Sequence, residues 1–196
     1  IKNLFMKILL TGTTGYIAKR LALQLLEDNH ELVCCVRDME RIPDEIEEHP
    51  RCKFIKVDFL KPESVEIPSD IEAAYYLIHS MSNSKNDFEK LERQCSQNFK
   101  ELVNKTECNQ VIYLSGIVND DSLSKHLKSR LQVENTLKSN DYALTTFRAG
   151  IIVGSGSASF EIIRDIVEKL PVMITPKWLN TKTQPIGVRD VLTYLS

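Results

Sequence analysis

The chain has 196 residues, 42% of them hydrophobic, and a formal net charge of −2, enough for one domain with a sizeable buried core. The absence of a basic excess argues against general nucleic-acid binding. No apolar run approaches the ~20 residues that span a bilayer.

Taken in chain order, short apolar runs alternate with helical patterns. KILLT (7–11) reads as a buried strand, and residues 15–28 as a helix with Ile17, Leu21 and Leu25 on one face. ELVCCV (31–36) is a second strand. The five cysteines, odd in number and without a C-x-x-C, fit neither a disulfide framework nor a zinc site. Cys34 and Cys35 read as small packed hydrophobes, and reduced thiols suit a cytoplasmic location. The acidic, proline-broken stretch 38–50 reads as surface loop plus a short helix. KFIKV (53–57) and AAYYLI (73–78) are further strands. A helix is expected over about 87–105, with Phe88, Leu91, Cys95, Phe99 and Leu102 facing inward. QVIYLS (110–115) is a fifth strand, 122–139 a helix with Leu123, Leu127 and Leu131 in line, and ALTTFR (143–148) a sixth strand. Phe160, Ile163, Val167 and Leu170 mark another helix, stopped by Pro171, and VRDVLTYLS begins a last one. The alternation predicts an α/β doubly wound Rossmann fold with a mainly parallel sheet and helices on both faces. It reads as one domain over 6–196, with 150–196 the start of a substrate-side region.

TGTTGYIA places Gly12 and Gly15 between the first strand and the first helix, with Ala18 at a third small position. Such a turn lets a pyrophosphate reach backbone N–H groups and lets the helix sit close to the strand. Gly12, Thr13, Thr14, Gly15, Tyr16 and Ile17 are therefore candidate dinucleotide contacts; a glycine turn that only packs is the alternative. The end of the second strand selects the cofactor. Arg37 there, with Arg41 one turn on, favours the 2′-phosphate of NADP(H), and Asp38 leaves NAD(H) open. Asp58 ends the third strand as a candidate adenine contact or a turn cap.

Together with VRD, VDF, VIYLSGI, TTFRAGIIVGSGS and TQPIGVRDVLTYL, the glycine motif resembles the short-chain dehydrogenase/reductase superfamily. The likeness is to its extended and atypical branches, the nucleoside-diphosphate-sugar epimerase-like and NmrA-like proteins. YYLIHSM, HLKSR and GSGSASFEIIRDIVEKLPVMITPKW resemble a bacterial subgroup of NAD(P)-binding, epimerase-like proteins, in which a further C-terminal domain usually follows. The resemblance implies Ser or Thr at the end of the fifth strand and a Y-x-x-x-K pair on the next helix. Ser115 fills the first position; His126 and Arg130 stand where Tyr and Lys would be. An i, i+4 pair shares a helix face, so Arg130 can hold the nicotinamide ribose. His126 is a candidate for proton transfer, cofactor positioning or plain structure, and the nearby arginine favours its neutral form.

His79 ends the fourth strand in LIHSM, at the carboxyl edge where ligands bind in open α/β sheets. Ser80 and Met81 should line the same crevice, and His79, Ser115 and His126 are expected to converge there. GSGSASF offers close backbone approach, or a helix start capped by Ser157 or Ser159 with Glu161 in the first turn. LPVMITPKW offers an apolar wall. The functional expectation is an NAD(P)(H)-binding protein: an oxidoreductase or epimerase-like enzyme with an altered catalytic pair, or a non-catalytic redox sensor or assembly subunit. The expected partners are the dinucleotide and an unidentified small-molecule substrate, with a homodimer left open.

Overall fold

The computed structural model describes residues 5–62, 65–79, 88–118, 124–169 and 182–196. Six parallel strands form one sheet: β1 (Lys7–Leu10), β2 (Glu31–Val36), β3 (Cys52–Lys56), β4 (Ala73–Tyr76), β5 (Gln110–Gly116) and β6 (Ala143–Ala149). Their order is β3-β2-β1-β4-β5-β6, the doubly wound order whose direction reverses between β1 and β4. Successive β1 side chains feed opposite faces, as strand geometry requires. Leu9 joins a core with Val33, Tyr76, Phe99 and Val133, whereas Ile8 and Leu10 join one with Leu21, Leu25, Val191 and Leu195.

Helix α1 (Tyr16–Glu27) buries Ala18, Leu21, Ala22, Leu25 and Leu26 against the sheet. It ends at Asn29, whose φ of +70° reverses the chain while His30 N donates to Leu25 O. The 38–50 segment holds a short 3-10 helix (Met39–Arg41) and α2 (Asp44–Glu47), as expected. On the opposite face lie α3 (Phe88–Val103) and α4 (Lys125–Leu137). Phe99 of α3 is fully buried, its ring 4.9 Å from Tyr76 and 5.9 Å from Phe59.

Cys95 and Phe99 of α3 are buried as expected, but the buried face of each helix also differs from the expected one. On α3, Leu91 and Leu102 are only half-buried, and Glu92, Ser96 and Asn98 are buried beside Cys95 and Phe99. On α4, Leu127 and Leu131 are half-buried, and the hidden face is Ser129, Arg130, Val133, Glu134 and Leu137; Leu123 lies outside the described residues. The inward polar groups are tolerated because they are partnered. Ser129 Oγ donates to Glu92 Oε2 at 2.7 Å, Asn98 Nδ2 to Phe59 O at 2.6 Å, and Arg148 Nη2 to both oxygens of Glu134 at 2.8 and 3.0 Å.

Beyond β6, β7 (Ile152–Val153) pairs in parallel with β8 (Ile186–Gly187), an addition the sequence pattern did not show. Helix α5 (Ala158–Lys169) forms as expected, but Ile163 and Val167 of its expected inner face are 47% and 61% exposed. Helix α6 (Val188–Leu195) returns to α1, burying Val191 and Leu195, and Tyr75 donates its hydroxyl to Leu195 O. No helix among the described residues is long and apolar enough to cross a membrane. All five cysteines are free and buried. Burial pushes the Cys35 thiol up to about 12, and the Cys95 and Cys108 thiols to about 11.

Candidate functional site

The switch between β1 and β4 opens a cleft of about 630 Å³ at the carboxyl edge of the sheet. Gly12 to Ile17, Arg37, Asp58, His79, Ser115, His126 and Arg130 line it, as expected from the sequence, whereas Asp38 and Arg41 do not.

The floor is the glycine turn. Gly12 has φ +70°, and a Cβ there would lie 2.6 Å from Leu77 O. Only glycine lets the ends of β1 and β4 approach this closely. Gly15 N closes the turn on Gly12 O at 2.7 Å, and Gly15 stands as the α1 N-cap without a side-chain cap. No acidic residue occupies the first turn of α1, so its N-terminal N–H groups and positive dipole end are not countered locally. Thr13 is buried, its hydroxyl donated to Leu10 O at 3.1 Å. Thr14 is exposed beside it.

At the rim, Arg37 is exposed. Asp38 spends its carboxylate on the 3-10 helix, accepting from Glu40 N at 3.2 Å. Asp58 lines the cleft and also caps its turn, accepting from Leu60 N at 3.0 Å.

The far wall comes from β4, β5 and α4. Arg130, 9% exposed, donates Nη2 to Leu114 O, and its guanidinium carbon lies 4.9 Å from the Tyr113 ring centre. The rings of His79 and His126 meet edge to face at 5.1 Å, and Phe88 stacks 6.3 Å from His126. Burial, with His79 and Arg130 adding positive charge nearby, holds His126 below its ordinary value, which favours the neutral ring. His79 Nδ1 lies 3.1 Å from Glu92 Oε1. Sequence reading missed Glu92 and Phe88 as parts of this wall.

The 154–157 loop closes one end. Gly154 packs against the Tyr16 hydroxyl, and Arg20 Nη2 donates to Ser155 O at 3.1 Å. Ser157 precedes α5 but does not cap it as expected: its hydroxyl donates back to Ile152 O at 2.7 Å. Glu161 instead accepts from Gly156 N at 3.2 Å. Ser80, Met81, the LPVMITPKW wall and the Leu170–Pro171 stop lie outside the described residues, as does the side chain of Ser159.

The donor set suits a dinucleotide. Among the described residues, four buried side-chain polar atoms lack a hydrogen-bond partner, and three of their residues line this cleft: Tyr16 through its hydroxyl, Ser115 through Oγ and Arg130 through Nη1. Orphaned buried polar atoms cost free energy unless a ligand meets them. These three line the same cleft as the uncapped N-terminus of α1 on its glycine turn, which admits a close-lying phosphate.

A family model described as NAD(P)H-binding matches residues 12–156. No curated protein matches the chain. Among solved structures, the UDP-glucuronic acid 4-epimerase of Bacillus cereus in complex with NAD is similar at TM-score 0.75 and 20% identity, over 95% of this chain and 72% of that one. The UDP-glucose 4-epimerase of Thermotoga maritima gives TM-score 0.73 at 15% identity, over 96% and 71%. Yeast methylglyoxal/isovaleraldehyde reductase, complexed with NADPH, gives 0.77 at 14%, over 95% and 72%. At these identities the likeness is one of fold, the doubly wound Rossmann fold.

Proposed function

Because the chain belongs to the NAD(P)H-binding family, whose model matches residues 12–156, we propose that it is an NADP(H)-preferring oxidoreductase of the short-chain dehydrogenase type with an imidazole-based catalytic wall. The observation that carries this reading is the joining, in one cleft, of the glycine turn with Ser115, Arg130 and the two imidazoles of His79 and His126. A cavity of this size, with a few converging polar groups, is where small-molecule chemistry is expected.

Gly12–Gly15 and the start of α1 hold the pyrophosphate, Arg37 the 2′-phosphate, Asp58 the adenine side, and Arg130 the nicotinamide ribose. The preference for NADP(H) rests on Arg37 lining the cleft while Asp38, the residue that would favour NAD(H), is engaged in its own turn. When bound, the nicotinamide accepts or supplies a hydride. Ser115 Oγ, buried and free to donate, polarises a substrate oxygen at the end of β5. One of the two imidazoles of this wall, His79 or His126, exchanges the hydroxyl proton. Free, buried thiols fit a cytoplasmic setting.

The test is calorimetric titration with NADPH, NADP, NADH and NAD. It is followed by a cofactor-oxidation screen with the substrates of the structural neighbours, methylglyoxal and isovaleraldehyde, and a separate epimerisation assay with UDP-glucose and UDP-glucuronic acid. Micromolar binding that prefers the phosphorylated forms, with turnover of a carbonyl, supports the reading. Epimerisation without net cofactor change makes the chain an epimerase. Tight binding that distinguishes oxidised from reduced cofactor without turnover makes it a redox-sensing module. Absence of all dinucleotide binding overturns the proposal.

A further inference from the structure

Glu92 is the anomaly of the site. It lies on α3, outside the glycine turn and outside α4, and it is 3% exposed. A buried carboxylate is costly unless each oxygen is satisfied. Here both oxygens are, separately: Oε1 faces His79 Nδ1 at 3.1 Å, and Oε2 accepts from Ser129 Oγ at 2.7 Å. Burial raises the carboxyl, but the bonds from His79 and Ser129 and the charge of Arg130 outweigh it and hold the group below its ordinary value. No Lys or Arg pairs with it directly among the described residues. Its contact partner is a histidine, a group whose charge changes near neutral pH.

We infer that Glu92 is a positioning residue that makes His79, rather than His126, the proton-exchanging group of the cleft. The inference rests on the dinucleotide reading above and adds a part to it. Glu92, itself fixed by Ser129, accepts from His79 Nδ1–H. The neutral ring then carries its proton on Nδ1, and its free base is Nε2, which has no partner among the described residues. This is the logic of a base oriented by a third, buried group. In the oxidising direction the O–H bond of a substrate alcohol breaks, its proton passes to Nε2 of His79, and the electron pair stays on oxygen to form the carbonyl. The carbinol C–H bond breaks at the same time, and its hydride would go to the oxidised dinucleotide, NADP⁺, held as proposed above. The imidazolium is balanced by the Glu92 carboxylate and returns its proton to solvent; the reducing direction reverses each event.

The groups around His79 assign the roles. From α3 comes Glu92, with Phe88 edge-on at 6.0 Å; from α4 come His126 and Arg130; from β5 comes Ser115. Arg130 and a second imidazole both disfavour a proton on this wall. The Glu92 carboxylate faces His79 and not His126, so His79 has an oriented ring and His126, held below its ordinary value, serves as a hydrogen-bonding wall.

The experiment uses ring-nitrogen NMR of the 15N-labelled whole chain, wild type and Glu92→Gln, Glu92→Asp and Ser129→Ala, across pH 5 to 9. We expect the wild-type neutral His79 to be protonated on Nδ1 and bare on Nε2. Glu92→Gln should cut the Nδ1–H share of the neutral ring severalfold, Ser129→Ala should cut it by less, and Glu92→Asp should recover most of the loss. Should Glu92→Gln not fold, Ser129→Ala and Glu92→Asp still report. A neutral wild-type His79 protonated on Nε2, or a His79 tautomer indifferent to these substitutions, overturns the inference. Failure of the wild type to bind any of the four dinucleotides sinks the functional reading instead, while the tautomer still reports on Glu92 and His79 alone. Binding of NADPH beside an indifferent His79 sinks only this inference.

Discussion

Gly12 and Leu77 meet backbone to backbone at the switch between β1 and β4. A side chain at Gly12 would place its Cβ 2.6 Å from the Leu77 carbonyl oxygen, and φ there is +70°. Gly12→Ala therefore meets two penalties at once: left-handed strain of about 1–2 kcal/mol and a clash that only movement of β4 relieves. We expect the melting temperature to fall by several degrees and calorimetric NADPH binding to disappear. A variant that binds NADPH as the wild type does would show that the turn is not the phosphate seat.

The turn was legible in the sequence because it needs a particular residue type at fixed spacing between a strand and a helix. The six strands were legible for a similar reason: fully buried parallel strands read as short apolar runs. The helix faces were harder. Looking for leucines put Leu91, Leu127 and Leu131 inward, but α3 and α4 meet through the bond of Ser129 to Glu92, and Glu134 of α4 pairs with Arg148 of β6. A hydrophobic pattern cannot announce a buried acid whose partners lie 13 and 37 residues away. The exposed face of α5 also ran against its pattern: Ile163 and Val167 have helical spacing, yet spacing does not tell what an apolar face packs against.

Arg37 sets the choice of cofactor in the proposed function, and Asp38 is tied up by Glu40 N. A charge-assisted phosphate contact contributes about 1.5–3 kcal/mol, so we expect Arg37→Ala to weaken NADPH binding roughly tenfold to hundredfold, with NADH affinity little changed. Parallel calorimetric titrations of wild type and variant with both cofactors read this directly. An equal loss for both would assign Arg37 to general electrostatics, and no loss for either would remove it from the site.

His126 makes the fold sensitive to acid. Burial, His79 and Arg130 together lower its proton affinity below the ordinary value of 6.5. The unfolded chain therefore binds more protons here than the folded one. The stability tied to the neutral ring is fully present above pH 6.5 and is lost as pH falls through the lower folded value. Glu92, also lowered, adds a loss of the same sign further down, in the carboxylate range. We expect thermal stability to fall between pH 7.5 and 5.5, and His126→Gln to flatten that slope without removing the steeper loss below it. A slope that is the same in the variant would mean that another group carries it.

Tyr16 offers the sharpest separation of fold from function. Its hydroxyl is buried without a partner and packs against Gly154. The residue is held in place: the Arg20 guanidinium lies 4.0 Å from its ring centre and bridges to Tyr16 O and Ser155 O, each at 3.1 Å. The phenol cannot easily swing out to water, so the free protein bears the cost of an unmet donor, about 1–3 kcal/mol for a buried group. Tyr16→Phe removes that cost and keeps the ring and its cation contact. We expect the free variant to melt at the same temperature or a few degrees higher, and to bind NADPH severalfold more weakly, because the bound dinucleotide loses its donor. The two effects have opposite signs for one deleted oxygen. A lower melting temperature with unchanged binding would mean that the hydroxyl serves the 154–157 loop and not the ligand.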